Sequence, residues 1–338
     1  MLIVSAAKEY IFEDDRPFES CHASTLISLG GDEILAAWFG GTAEGKPDVD
    51  IWAAERSGAG WSEPRRIAAS EEPLWNPVLF RDEDGLITLY YKTGHTIPGW
   101  RTMVTRSNDR GGSWTTPKEL VEGDEGGRGP VKNKPIRLSS GVLAAPASIE
   151  TKARWDAFVD LSSDNGASWT RTELVPLRRA EPAAPGEEAR EAPPPGTVVN
   201  KGVIQPTLWE SAPGQVHMLL RSTDDYMFRS DSADGGETWG EAYAIGLPNN
   251  NSGIDLARMD DGLLALAYNP VAGRRGARTP LVVRFSIDNG ANWDAEFVLE
   301  DEPGEYSYPA IVASGDELHI AYTWKRERIA YWKLVVGK

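Results

Sequence analysis

Side chains able to do chemistry recur at one kind of position in this chain, the first residue of an apolar stretch that alternates like a β-strand. Six residues hold that position: His22, Asn76, Lys134, Gln205, Ser252 and Tyr308. The strand after each of them also ends on a polar or aromatic residue: Trp38, Lys92, Glu150, Arg221, Asn269 and Trp324. Amides and charged groups hydrogen-bond hydroxyls, and aromatic faces pack on C–H surfaces. Brought together, these residue types would therefore suit a sugar.

An arginine among them favours an anionic group on such a ligand, because guanidinium binds carboxylates through paired N–H groups. Arg221 ends one of the strands, although it could instead pair with Asp224 or Asp225 nearby. Asparagines that precede a strand offer amides to a sugar or form a plain turn. The two in question are Asn250 and Asn251.

Two interleaved repeats must position these residues. The first has the form S-x-D-x-G-x-x-W, and it occurs at Ser107–Trp114, Ser162–Trp169, Ser232–Trp239 and Ser286–Trp293, with a shortened copy at Ser57–Trp61. It predicts a tight hairpin in which the Asp accepts backbone N–H bonds, the Gly takes a positive φ and the Trp packs beneath.

The second repeat is an apolar strand, a turn and another apolar strand. Its six copies begin at the six residues named first, and successive starts differ by 54, 58, 71, 47 and 56 positions. A period near fifty with about four strands per repeat is typical of a β-propeller, so we predict an all-β fold of six blades. We expect Leu2–Ala6 to close the last blade as its fourth strand, and residues 1–338 to form one domain.

The chain resembles the sialidase superfamily through its S-x-D-x-G-x-x-W repeats, which match the Asp-box (BNR) motif. It looks most like the predicted-neuraminidase branch, on the stretches His22–Thr25 (HAST) and Tyr306–Pro309 (YSYP). The resemblance implies a retaining exo-glycosidase that releases a terminal acidic sugar, sialic acid or a related carboxylated sugar. It also implies that the Asp-boxes are structural and lie away from the active site.

The resemblance further implies three arginines that hold the substrate carboxylate, a tyrosine nucleophile activated by a glutamate, and an aspartate as acid/base. Arg221 and Arg278 match two of the arginines, although Arg278 lies in an arginine-rich stretch and could instead be solvated at the surface. Tyr306 matches the nucleophile, with Tyr308 close by. Asp48 matches the acid/base, with Glu44 and Asp50 in the same loop, Phe39–Asp50. Of the two tyrosines, we expect only one to face the channel.

Two positions depart from that pattern. His22 stands where the first arginine is expected, and His forms no bidentate fork with a carboxylate. Gln205 stands where the activating glutamate is expected, and an amide accepts no proton. The nucleophile would then need another base, and Glu305, Glu150 and His22 are the candidates.

Because of these departures, two other functions stay open. One is a polysaccharide lyase or atypical uronate-active hydrolase in which His22 and a tyrosine do the acid/base work. The other is a non-catalytic carbohydrate-binding propeller. An acidic oligosaccharide or glycoconjugate is the expected partner in each case.

The composition narrows the remaining classes. A net charge of −16 and a pI near 4.8 argue against nucleic acid and anionic membranes as partners. The single cysteine, Cys21, excludes an intramolecular disulfide framework, and we expect no metal or other cofactor. The first residues lack the pattern of a secretion signal, so we expect a cytoplasmic protein unless a leader has been removed. The Pro-, Ala- and Glu-rich segment 178–197 predicts a surface insertion.

Overall fold

The computed structural model describes residues 2–124, 126–180 and 196–337 of the 338-residue chain. Within that part the protein is almost entirely β-sheet, with one 3-10 turn at Ile97–Gly99. Its strands form six sheets, each of at least four strands, arranged as the blades of a propeller. This architecture confirms the predicted six-bladed fold.

In each blade the strands follow one another from the channel outward. Blade 1 contains β2 (Ser20–Gly30), β3 (Glu33–Gly41), β4 (Asp50–Ser57) and β5 (Gly60–Trp61), with β6 (Arg65–Ala68) also beside β4. Blade 2 contains β7 (Leu74–Arg81), β8 (Ile87–Thr93), β9 (Arg101–Ser107) and β10 (Lys118–Glu119). Blade 3 contains β11 (Ile136–Arg137), β12 (Leu143–Glu150), β13 (Trp155–Ser162) and β14 (Thr170–Arg171).

The second half of the ring repeats this order. Blade 4 contains β15 (Val203–Ala212), β16 (Gln215–Ser222), β17 (Tyr226–Ser232) and β18 (Tyr243–Pro248). Blade 5 contains β19 (Asp255–Arg258), β20 (Leu264–Tyr268), β21 (Leu281–Ser286) and β22 (Ala295–Glu300). Blade 6 contains β23 (Tyr306–Ser314), β24 (Glu317–Trp324), β25 (Arg328–Gly337) and β1 (Leu2–Tyr10).

The ring is closed by the N-terminal strand, as predicted. β1 pairs antiparallel with β25, with Ala6 opposite Leu334. The edge of blade 6 is therefore covered by a strand from the other end of the chain, which leaves no long unpaired strand there. An ion pair between Glu9 and Arg56 (2.7 Å) also ties β1 to blade 1.

The hydrophobic core lies between the faces of neighbouring blades. Between blades 6 and 1 it includes Leu26, Trp38 and Tyr331, each almost completely buried. Trp38 packs against Phe12 with ring centroids 4.9 Å apart. This corrects the prediction that Trp38 binds a ligand, because the alternation of β3 turns its side chain into the space between blades.

A β-bulge interrupts four of the six innermost strands near their first residues. At each bulge one residue takes a left-handed backbone conformation: Ala23, Asn76, Gln205 and Tyr308, with φ between 40° and 55°. An extra residue in one strand re-aims the side chain it carries. The bulges therefore decide which side chains at the strand starts point into the channel mouth.

The four complete Asp-boxes have one common hydrogen-bond arrangement. In the last of them, the Ser286 hydroxyl and the Asn292 backbone N–H both donate to the Asp288 carboxylate, at 2.8 and 2.9 Å. The N–H of Gly290, at φ 80°, donates to Ser286. Ser286 ends β21 and pairs with Leu264 at the start of β20. The Asp-boxes thus lie on the face opposite the innermost strand starts, which excludes them from the channel mouth.

An Asp-box contribution to acid stability follows from these bonds. The Asn292 backbone N–H, its side-chain amide and the Ser286 hydroxyl lower the pKa of Asp288 to about 2. Since the folded pKa lies below the unfolded value, the stabilisation is present above about pH 4 and is lost as the pH falls towards 2. We expect Asp288→Asn to flatten the pH dependence of the urea midpoint between pH 4 and 2. An unchanged slope, relative to wild type, would contradict this assignment.

Most of the predicted insertion, residues 181–195, lies outside the described residues. Where the chain is described again, Val198 and Arg179 form an isolated parallel bridge beside blade 4. In the described ranges, no helix has the length and apolar character needed to cross a membrane.

Candidate active site at the channel mouth

Side chains from blades 1, 4 and 6 and from the segment before blade 5 meet at the starts of the innermost strands. We call this group the axial pocket, and it consists of His22, Gln205, Arg221, Asn251 and Tyr308. Arg221 is its centre, since Nη1 donates to the Tyr308 hydroxyl and to Gln205 Oε1, both at 2.8 Å. Its Nε donates to Asn251 Oδ1 at 2.9 Å. The His22 ring lies against Tyr308, with ring centroids 4.2 Å apart.

Arg221 carries a buried positive charge with neutral partners. Only 7% of the residue is exposed, and within the described part of the chain no carboxylate forms an ion pair with it. Its three hydrogen-bond acceptors are an amide, another amide and a phenol. A buried guanidinium without a carboxylate in direct contact is costly, because Glu150 lies beyond Gln205 and offsets its desolvation only in part. The arrangement therefore favours an anion brought by a ligand.

Two further arginines lie at the rim of the axial pocket and share one carboxylate. Glu305 accepts from Arg278 at 2.6 Å and from Arg326 at 3.0 Å. Burial opposes ionisation of Glu305, but Arg326 and Arg278 outweigh it and hold its pKa below the usual value. Arg326 also pairs with Glu44 at 2.6 Å. These bonds link the loop after β3, the segment before β23 and the turn between β24 and β25.

A buried lysine lies beneath the tyrosine ring. Lys132 is 4% exposed and donates to the carbonyl oxygens of Ile254 (3.1 Å) and Pro309. Its Nζ is 6.0 Å from the Tyr308 ring centroid, and burial lowers its pKa to about 7. The lysine connects the segment before blade 3 to blades 5 and 6 just below the pocket.

His22 is held neutral by its surroundings. Burial comes first, and the nearby Arg326, Arg278 and Arg221 add to it, so the pKa of His22 lies well below its usual value. Its Nδ1 is buried and has no hydrogen-bond partner among the described residues. At neutral pH the ring is therefore neutral, and its free nitrogen can accept a hydrogen bond from a ligand.

A buried carboxylate lies behind Gln205. Glu150, at the end of β12, accepts from Gln205 Nε2 at 3.4 Å and from the Ser148 hydroxyl at 3.1 Å. Burial raises the pKa of Glu150. Gln205 thus stands between Glu150 and Arg221, and the carboxylate reaches the arginine only through an amide.

Comparison with protein families identifies this chain. The BNR repeat-like domain model matches residues 32–320. The chain belongs to the BNR repeat-like domain family. This confirms the predicted assignment to the sialidase and BNR-repeat superfamily. A comparison with curated proteins finds no match.

Solved structures with the same fold include sialidases. A Dyadobacter fermentans protein of unknown function superposes with a TM-score of 0.73 at 16% identity, covering 99% of both chains. A Hadza microbial sialidase gives 0.77 at 16% identity, covering 97% of this chain and 68% of that one. A variant of the NanB sialidase from Streptococcus pneumoniae gives 0.71 at 14% identity, covering 96% and 70%. At these identities the likeness shows the fold alone.

In this BNR repeat-like protein the tyrosine of the axial pocket is Tyr308, which corrects the prediction of Tyr306. Tyr306 is 1% exposed and packs in the cluster between blades 5 and 6, near Trp324. In a regular strand the two tyrosines would share a face, since they are two residues apart. The bulge at Tyr308, between Ser307 and Ala310, turns them apart.

The predicted acid/base, Asp48, is also corrected, to another carboxylate of the same loop. Asp48 folds back and accepts from the N–H of Thr42 at 2.8 Å and from its hydroxyl, so its carboxylate closes the loop. Asp50 pairs with Arg66 at 3.1 Å on the outer side of the blade. Glu44 is the loop carboxylate that reaches the rim of the axial pocket.

Four other predicted binding residues make structural contacts instead. The contacts are Asn76 Nδ2 to the Val131 carbonyl (3.0 Å), Asn250 Nδ2 to the Ala277 carbonyl (2.6 Å), Lys92 Nζ to the Arg128 carbonyl (2.9 Å) and Lys134 Nζ to Asp255 (2.9 Å). Each bond joins separate segments of the ring, and that of Lys134 reaches from the segment before blade 3 to blade 5. These polar side chains lie at strand ends because hydrogen bonds there hold the segments of the ring together. The sequence pattern does not distinguish this structural role from ligand binding.

Three residues at the axial pocket were not predicted from the sequence: Arg326, Lys132 and Trp155. Trp155 lies beside Arg221, with the guanidinium 5.8 Å from its ring centroid. Lys132 precedes a residue that was noticed, and Arg326 lies in the charged run Lys325–Arg328, which is typical of a solvated turn. Only their nearness to the repeat boundaries would have indicated them, since Lys132 lies two residues before Lys134, Arg326 two after Trp324 and Trp155 five after Glu150.

Proposed function

We propose that this BNR repeat-like protein is a retaining exo-glycoside hydrolase that acts on a terminal acidic sugar, sialic acid or a related carboxylated sugar. The buried guanidinium of Arg221, which has no ionic partner among the described residues, is the observation that carries the proposal. The sialidases with the same fold support it, since their names place acidic-sugar chemistry on this architecture.

The carboxylate of the sugar would lie between three arginines. Arg221 is buried and points into the pocket, and Arg278 and Arg326 lie at its rim. Arg326 takes the role that His22 leaves open, but from blade 6. In a protein of net charge −16, these guanidinium groups make the pocket a local positive site that attracts an anion.

Glu44 would act as the acid/base. In its protonated form it gives a proton to the glycosidic oxygen as the bond to the anomeric carbon breaks. A substrate carboxylate bound by Arg326 would release Glu44 from its present ion pair and leave its carboxyl group available to the glycosidic oxygen. In the second step Glu44 accepts a proton from the water that attacks the same carbon.

Tyr308 would be the nucleophile. Its oxygen bonds to the anomeric carbon in the first step and is expelled by water in the second, so the configuration is retained. Arg221 already donates a hydrogen bond to this oxygen and would stabilise the phenolate. The phenolic proton would pass to His22, whose ring lies beside the tyrosine, once a bound substrate carboxylate offsets part of the positive charge of Arg326, Arg278 and Arg221 that lowers the pKa of His22.

A uronate lyase is the second candidate, and the contact between His22 and Tyr308 favours it. One of the two would take the C5 proton of a uronate, the electrons would form the C4–C5 double bond, and the other would protonate the departing oxygen. Gln205 and Arg221 would then hold the uronate carboxylate. This reaction needs no glutamate at the position of Gln205.

The test is a substrate screen with two readouts. Wild-type protein is incubated with aryl sialosides, aryl uronides and uronate-capped oligosaccharides, and reducing sugar is measured beside ultraviolet absorbance. Release of an acidic sugar without new absorbance supports the hydrolase, and new absorbance from a double bond supports the lyase. Binding without turnover of any of them would leave a carbohydrate-binding propeller.

Glu44→Gln tests the acid/base assignment on whichever acidic glycoside is hydrolysed. We expect kcat/KM for substrates with poor leaving groups to fall by about 10²–10³-fold, because their departure needs a proton. Nitrophenyl glycosides, which leave without that proton, should lose far less in the first step. Asp48→Asn is the matched control in the same loop, and an equal loss in both variants would contradict the assignment.

A further inference from the structure

A second cavity lies in blade 1, on the same face as the axial pocket. We call it the blade 1 cavity, and its volume is about 570 Å³. That is within the range of about 300–1,000 Å³ found for small-molecule pockets. Its lining includes Phe18, Asp48, Asp50, Trp52, Arg66 and Ser70. None of the steps proposed above uses it.

The register of the sheet gives its position. Cys21, next to His22, pairs with Gly40 on β3, and Gly40 pairs with Asp50 on β4. Two strand spacings of about 4.8 Å each therefore separate the cavity from the innermost strand. The loop between β3 and β4 lies between the two sites, with Glu44 towards the axial pocket and Asp48 towards the cavity.

The floor of the cavity is aromatic and closely packed. Phe18 and Trp52 lie with ring centroids 5.3 Å apart, and the indole N–H of Trp52 donates to the Gly40 carbonyl at 3.0 Å. A Cβ at Gly40 would come within 2.9 Å of the Phe18 ring, so the glycine is what lets the ring lie there. Phe18 is buried, and Trp52, which is partly exposed, presents the aromatic face that can pack against the C–H surface of a sugar.

The walls carry both hydrogen-bond acceptors and a donor, and a sugar hydroxyl can bond to either kind of group. The Asp50 side chain is 11% exposed and pairs with Arg66, whose own side chain is 59% exposed. Burial raises the pKa of Asp50. With Glu19 and Asp48 the cavity has three carboxylates for one guanidinium, a balance that repels anions and so differs in sign from the axial pocket.

We propose that the blade 1 cavity is a second saccharide site, which takes a neutral pyranose of the glycan whose acidic end occupies the axial pocket. That this pyranose belongs to the same glycan as the acidic sugar rests on the proposed function. The neutral sugar itself is assigned from the aromatic floor and the carboxylate walls, which do not depend on that function. The loop from Thr42 to Val49 would lie beneath the linkage that joins the two sugars.

The test is direct binding of a neutral sugar, followed without turnover. Lactose is titrated into ¹⁵N-labelled protein, and the indole N–H signal of Trp52 is assigned by its loss in Trp52→Phe. We expect a saturable shift of that signal that persists in Tyr308→Phe and weakens at least tenfold in Arg66→Ala and Asp50→Asn. Arg284→Ala, which removes an exposed Arg–Glu pair on blade 5, is the matched control and should bind as wild type does.

Three results would overturn the proposal. They are no shift of the Trp52 signal, a shift that Arg66→Ala leaves intact, and a shift produced by choline but not by lactose, which would make the cavity a cation site. Because Arg66 is exposed, its variant stays informative even if Asp50→Asn fails to fold. Lactose binding at Trp52 without hydrolysis of any acidic glycan would support the cavity site while removing the proposed function.

Discussion

Tyr308→Phe is expected to lower kcat/KM for an acidic aryl glycoside by at least about 10³-fold, because the phenylalanine has no oxygen to form the glycosyl bond. Folding should be unaffected, since only the hydrogen bond from Arg221 is lost. Steady-state kinetics with the substrate found in the screen measure the effect. A burst of aryl alcohol in wild type, absent from the variant, would report the covalent step.

Tyr306→Phe is the matched control for this prediction. It removes the same hydroxyl from a residue two positions away that lies in the hydrophobic cluster between blades 5 and 6. We expect it to keep activity close to wild type. A large loss in Tyr306→Phe with a small loss in Tyr308→Phe would reverse the assignment of the nucleophile. Equal activity in all three proteins would exclude a tyrosine nucleophile altogether.

Asp255→Ala is expected to lower the free energy of unfolding by about 3–5 kcal/mol, the usual cost of leaving a buried charge without its partner. Asp255 is 2% exposed and binds Lys134 through both carboxylate oxygens, at 3.0 and 2.9 Å. It also accepts from the Thr207 hydroxyl at 2.8 Å and from the Ile311 N–H at 3.0 Å. The Asp255 carboxylate on blade 5 therefore binds the innermost strands of blades 4 and 6 and the segment that precedes blade 3.

Urea unfolding followed by tryptophan fluorescence measures this loss. Asp316→Ala, which removes an exposed aspartate from blade 6, is the control and should change stability by less than about 0.5 kcal/mol. The double variant Asp255→Leu with Lys134→Met should recover much of the loss, because the charge that Asp255 neutralises is removed together with it. A loss in Asp255→Ala no larger than in Asp316→Ala would show that the channel network adds nothing to stability.

The fold was predictable because its signals are local. Each Asp-box forms its turn through hydrogen bonds among residues within eight positions, as the bonds around Asp288 show. The recurrence of these turns with apolar pairs of strands near every fifty residues then requires a ring of blades. Even the closing strand, β1, was indicated, since the last repeat has only three strands of its own.

The candidate site was predictable only in part. Arg221 was found because it ends a strand at a repeated position, and His22 and Gln205 because they begin one. Glu44 was not preferred to Asp48, since the path of their loop depends on the bond from Thr42 and on Arg326, far away in sequence. Local pattern carries no information about such a distant partner.

The sequence by itself determined the six blades, the direction of their strands and the end of the channel at which the polar residues collect. Tertiary structure alone decided that Tyr308 and not Tyr306 faces Arg221, because a bulge of one residue reverses the direction of a side chain without changing the composition of the strand. It also brought Arg326 and Lys132 to the pocket from separate blades. Such convergence is a property of the closed ring, since each of these residues lies in a turn or linker whose own sequence indicates only a solvated charge.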